Sequence, residues 1–269
     1  MRKGLVFVAV AMLLIAPAAL AQFQDFGLHG SQVVLGQGWS TDLQVVNGSA
    51  SSQWFWVAFL KTGYGRGYTF TSYFRPLVDG SATGADWIKF QLAPGTGKTL
   101  HISVPNPNQF VAGWLCLYGG TVTGAEQRPL PAEVTANLIR KYGNDEYASP
   151  LVRAANRFVF PAVLTTNSAT GIAITNSGAA QWDVSWVKFR AFDAQGKLIA
   201  EQPLNLFPGN KNAIGCLPSG MQMAQFLWQF FKGNPDWESY INSHAGFNGT
   251  VEIVADGYPI SATALVVKY

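Results

Sequence analysis

Ala93-Pro94-Gly95-Thr96-Gly97-Lys98-Thr99 comes nearest in this chain to a nucleotide-binding signature. A phosphate loop also needs a glycine five residues before Gly97, and it must feed a helix N-terminus, where backbone N–H groups wrap the phosphate. Leu92 stands at that position, and the stretch lies between two strand-like runs, so it reads as a turn. Asp236, Glu238 and His244 lie close enough in sequence to suggest an acid–base group for hydrolysis. Two carboxylates at a helix N-terminus account for the acids more cheaply. His29, His101 and His244, the three histidines, show no metal-ligand spacing. No G-x-S-x-G surrounds a serine, and Cys116 has no histidine near it in sequence. The expectation is a chain without catalytic residues, cofactor or metal.

Recognition chemistry remains. Tyr64, Arg66, Tyr68 and Tyr73 fall among glycines in GYGRGYTFTSYF, and Trp39 follows a Gly-rich turn. No core demand is apparent there, and rigid aromatic rings bind at low entropic cost. These five residues form a candidate binding loop; the alternative is a lid folded onto its own sheet. Trp54, Trp56, Trp182 and Trp186 belong to strand-like runs and are expected to serve packing.

The elements that must hold these groups occur twice. Thr41, Leu43, Val45 and Asn47 recur as Thr170, Ile172, Ile174 and Asn176, an offset of 129 residues, and Trp54 recurs as Trp182. Leu92-Ala93-Pro94-Gly95 recurs as Leu206-Phe207-Pro208-Gly209, and GWLCLYGGTVTGA recurs loosely as GTVEIVADGYPISA. A shifting offset marks one unit duplicated and then given different insertions. In the first copy, residues 33–35, 42–46, 54–60, 87–92, 99–104 and 113–118 read as short strands. In the second, residues 170–175, 183–191, 198–206, 250–255 and 261–268 do so. Alternating or continuous apolar runs between Gly, Ser and Asn breaks predict antiparallel sandwiches of immunoglobulin-like type.

Between the copies, Pro131 at a first turn, Glu133 and Gly143 predict a helix over 132–142, with Val134, Leu138 and Tyr142 on one face. A second helix is expected over 220–232, capped by Ser219 and presenting Met223, Phe226, Leu227, Phe230 and Phe231, with a third after Asn234-Pro235. The expected plan is a signal peptide over 1–21, a first β-sandwich over 22–128 and a helical linker over 129–156. A second sandwich over 157–269 completes it, with its helical insertion at about 219–242.

Arg2 and Lys3, an apolar stretch from Leu5 to Ile15 and Ala19-Leu20-Ala21 have the form of a secretory signal with its cleavage site. No other stretch is apolar for ~18 residues, so no membrane span is expected beyond it. Charged residues make up 12% and aromatics 13%, with a formal charge of +3. That balance lacks the clustered basic face that nucleic acid requires. Cys116 and Cys216 stand at non-equivalent positions of the two copies; they are either a disulfide stapling the units or two separate thiols.

The entry strand, T-x-L-x-V-x-N at Thr41–Asn47, the Trp54 strand, the Ala93-Pro94-Gly95 turn and the closing hairpin from Gly113 together resemble a group of secreted bacterial proteins built from tandem sandwich repeats. The resemblance covers nearly the whole chain after residue 21, and its motifs are structural. It implies fold and export. The expected function is a secreted, non-enzymatic structural or adhesive protein, working through a protein partner or self-association. The alternative is a carbohydrate-binding module that uses the loop aromatics.

Overall fold

The computed structural model describes residues 27–65, 68–120, 128–178, 183–205 and 214–268, and for 62–71 the backbone alone where it is described. The signal segment and Trp182 lie outside the described residues. The chain is mainly β, in antiparallel sheets.

In the first half, β1 (Leu28–Leu35), β9 (Val111–Gly120), β3 (Gln53–Gly65) and β7 (Trp87–Leu92) lie side by side. Facing them are β8 (Gly97–Ser103), β2 (Trp39–Asn47) and β10 (Val134–Tyr142). Alternation decides which side chains turn inward. Leu43 and Val45 of β2, Leu100 and Ile102 of β8 and Leu138 of β10 meet Phe55, Val57, Phe59, Leu115 and Leu117 in one buried core. The second half repeats this order. β12 (Arg157–Leu164), β18 (Phe247–Gly257), β14 (Ser185–Asp193) and β15 (Leu198–Pro203) make one layer. β17 (Gln222–Phe226), β13 (Ser168–Thr175) and β19 (Ser261–Lys268) make the other. Ile172 and Ile174 pack there against Phe189, Val251 and Ile253.

In an immunoglobulin sandwich the first strand lies beside the second and the last beside the sixth. Here the first strand of each half pairs with the sixth (β1 with β9, β12 with β18), and the last pairs with the second (β10 with β2, β19 with β13). The central pairings of the first half are β2 with β8 and β3 with β9.

The repeated polar residues tie the layers together. Thr41 Oγ1 donates to the Val34 carbonyl of β1, 2.8 Å away. In the second half, Val163 N on β12 donates to Thr170 Oγ1 at 2.8 Å. Asn47 Nδ2 donates to the carbonyls of Ser51, Leu92 and Ala93. Asn176 Nδ2 donates to those of Asp183 and Leu217, and its Oδ1 accepts from Gly178 N. A buried carbonyl left unpaired would cost about 1–3 kcal/mol, so each asparagine fixes the chain around it.

Two helical expectations are corrected. Residues 134–142 form β10, paired along its length with β2 and then with β11 (Asp145–Pro150) through a tight turn at Gly143 and Asn144. Val134, Leu138 and Tyr142 are four apart, a spacing that one helix face and one strand face share, so the periodicity did not discriminate. The strand answers the need of β2 for a second neighbour. Over 220–232, the segment begins as β17 on the edge of β13, and only Leu227–Phe230 makes one helical turn, α1. Pro235–His244 forms α2 as expected, with Asn234 Oδ1 accepting from Asp236 N and Trp237 N. Asn234 also donates to the Glu201 carbonyl and to Gln202 Oε1, which seats the helix on β15.

The halves touch through β1 and β9. Ser31 Oγ lies 2.9 Å from Ser261 Oγ, and Gln222 Nε2 donates to the carbonyls of Ser31 and Gly113.

Candidate functional site

The inserted stretch expected as a loop is a β-hairpin. β3 pairs with β9 from Trp54 to Leu60; from Lys61 to Gly65 the partner is β4 (Tyr68–Tyr73). Thr, Tyr and Phe favour the pleated strand, which explains why the glycines of this stretch did not leave it a loop. Past Leu60 the hairpin runs as a two-stranded ribbon beyond the reach of β9. Tyr64 and Tyr68 sit near its end by register, their side chains outside the described set, and Arg66 lies outside the described residues.

Tyr73, 45% exposed, stands at the root of the ribbon. Its ring lies 6.1 Å from that of Trp87, which in turn lies 6.2 Å from Trp56 and 6.0 Å from Tyr118. These rings are tilted by 56–59° to one another, so they make a packed cluster rather than a coplanar row. Lys89 Nζ lies over Trp56, 4.1 Å from the ring centre. Trp39 is on the opposite sheet, stacked on Tyr142 at 4.8 Å. The structure therefore does not bring Trp39 together with Tyr73. Trp186 is also corrected: it is 49% exposed, because Val187, Phe189 and Ala191 take the inward positions of β14. Trp56 is buried and Trp54 half-buried.

An ionic cluster on the outer face of β2, β8 and β10 escaped sequence reasoning. Asp42 Oδ1 accepts from His101 Nδ1 at 2.6 Å, and Asp42 Oδ2 lies 2.8 Å from Lys141 Nζ. Glu146 is 3.5 Å from the same ammonium. The partners are far apart in the chain, so only the register brings them together. Burial pushes the Asp42 carboxyl up, but hydrogen bonds and charge from Lys141 and His101 outweigh it and hold it below the usual value. A depressed carboxylate stabilises the fold above its unfolded pKa of ~3.9 and loses that contribution as pH falls through its folded pKa. Denaturant melts should therefore show wild type losing stability faster than Asp42→Asn as pH falls below about 5 towards about 2. Parallel losses would contradict the assignment. Among the described residues no nucleophilic hydroxyl or thiol bonds to His101, and the cluster ties β2, β8 and β10 together.

The remaining sequence candidates separate. Asp236 and Glu238 lie in the first turn of α2 and His244 in its last; Glu238 Oε1 accepts from Gly233 N, and His244 Nδ1 lies 3.0 Å from the Tyr240 carbonyl. Residues 93–97 turn from β7 into β8, with Gly95 at φ +68° and Thr96 Oγ1 donating to the Ala93 carbonyl. Cys116 is buried in β9 and Cys216 half-buried on β16 (Cys216–Leu217), and no disulfide joins them. Among the described residues no group of His, Cys, Asp and Glu could hold a metal ion, and no helix is long and apolar enough to cross a membrane. Comparison with protein-family models, curated proteins and solved structures finds no match.

Proposed function

We propose that this is a secreted, non-enzymatic structural or adhesive protein of two tandem β-sandwiches, immunoglobulin-like in their central pairings, that acts by protein–protein contact. The carrying observation is the β3–β4 ribbon, in which, among the described residues, β3 past Leu60 pairs with one neighbour only. A lone two-stranded ribbon is marginal in water, and strand edges offer unpaired N–H and C=O groups to another chain. A partner strand added there stabilises both. Export rests on the signal-like segment at Met1–Ala21.

The test is light scattering after size exclusion, over a concentration series, on wild type and on a variant with residues 62–71 replaced by Asn-Gly. Wild type should associate as concentration rises; the shortened hairpin should stay monomeric and melt at an unchanged temperature. Strictly monomeric behaviour of both would remove self-association through the ribbon.

A further inference from the structure

On β13, Gly171 needs an explanation that the backbone does not provide. A glycine inside a strand weakens it, and where it persists it marks a bulge or a close approach by a ligand or another chain. Gly171 pairs regularly with Leu265 and Phe226 on its two sides, so there is no bulge. Its φ lies outside the left-handed region, and a Cβ built on it would come no nearer than 3.8 Å to the Leu265 carbonyl oxygen and 3.9 Å to the Phe226 ring. Nothing in the fold excludes a side chain there.

The position borders a cleft of about 180 Å³ at the junction of the halves. Ile172 and Ile174 face the core, so Gly171, Ala173 and Thr175 lie on the opposite face of β17–β13–β19. At the Thr175 end that face is closed by the Ser31–Ser261 and Gln222–Ser31 contacts. At the Gly171 end it opens, bordered by Phe226, Leu265 and the two glutamines Gln32 and Gln229, the Oε1 of Gln229 accepting from Phe226 N at 2.8 Å and leaving its amide N–H groups to a ligand. No charged residue lines it.

We propose that this cleft binds a neutral saccharide ring. A primary amide donates and accepts at once, matching a hydroxyl group, which does the same. A half-buried aromatic ring with aliphatic neighbours suits the C–H face of a sugar, and a few convergent polar groups over an apolar surface are the usual make-up of a small-molecule site. Phosphate, carboxylate and metal ligands are disfavoured, because the lining supplies neither charge. Gly171 leaves room for the ring. The site is separate from the ribbon and stands or falls independently of it.

Methyl glycosides of glucose, galactose, mannose and N-acetylglucosamine, and their β-linked dimers, would be titrated into the purified protein, following backbone amide resonances. At least one should give saturable shifts at Phe226, Gln229 and Gly171. Gly171→Leu, which fills the cleft, should keep the wild-type melting temperature and weaken binding about tenfold or more, a loss of 1.4 kcal/mol. Gln32→Ala, which keeps the backbone carbonyl of residue 32 and removes only its amide side chain from the cleft, should weaken binding too, and decides alone if Gly171→Leu does not fold. No saturable shift with any of these sugars, or wild-type binding by the deciding variant, overturns the proposal.

Discussion

Phe230→Ala is expected to destabilise the protein by about 3–5 kcal/mol. Phe230 stacks on Phe189 with 4.2 Å between ring centres, and the neighbouring Phe231 stacks on Trp237 at 4.8 Å. Both phenylalanines are buried in the core of the second half, together with Trp237 and Phe247. The segment from α1 to α2 therefore plugs that core. Asn234 and Pro235 start α2, Trp237 turns inward from its first turn to stack on Phe231 within the segment, and Phe230 reaches across to Phe189 of β14. Removing Phe230 leaves a cavity beside Phe189 that a stacked ring cannot readily refill. Phe226, expected alongside them, is only half-buried, because it ends β17 instead of continuing a helix. Thermal and denaturant melts of Phe230→Ala check the plug; stability equal to wild type would turn this segment from core into a surface available to a partner.

A comparably large effect is expected at Arg140, in the alanine variant but not in the methionine one. Arg140 is 1% exposed and follows Val134, Ala136 and Leu138 along the inward face of β10. Its Nε donates to the Gln32 carbonyl at 2.8 Å and its Nη1 to Ser149 Oγ at 2.9 Å, while Nη2 has no partner among the described residues. No carboxylate forms a salt bridge with it among the described residues, and burial pushes its pKa down to about 10. The charge is thus retained at neutral pH at a desolvation cost of several kcal/mol. Arg140→Ala removes both hydrogen bonds and the packed stem, and should cost about 2–5 kcal/mol. Arg140→Met keeps most of the volume and discards the cation, and should leave stability within about 1.5 kcal/mol of wild type or above it. Equal losses in the two variants would mean that the guanidinium hydrogen bonds, not the stem, hold β10 to β1.

The strands were legible where apolar alternation coincided with a repeat. β7 and β19 span the ranges read from the sequence, and Thr41, Asn47 and their counterparts recur because each makes an equivalent buried tie. The same positions misled where period and propensity diverged. VTANLIRKY mixes helix formers (Ala, Leu, Arg, Lys) with an equal number of strand formers (Val, Thr, Ile, Tyr), and its spacing of four suits both a helix and a strand, so only the pairing with β2 separates them. For the candidate site, residue type pointed to Tyr73 and Trp39, but their separation into two sheets was not legible. The Asp42–His101–Lys141 cluster and the cleft at Gly171 depend on cross-strand register and on the contact between the halves, information that no local window holds.

The terminal strands also set when folding can finish. In each half the first strand completes one sheet and the last completes the other, so β2, paired with β8 on one side, lacks its second neighbour until residues 134–142 arrive. β13 waits likewise for residues 261–268, the last eight described positions of the chain. Pairings this distant in sequence must close long loops before they gain anything, which slows folding. Each half therefore stays open during synthesis until its own last strand, residues 134–142 or 261–268, is free to pair.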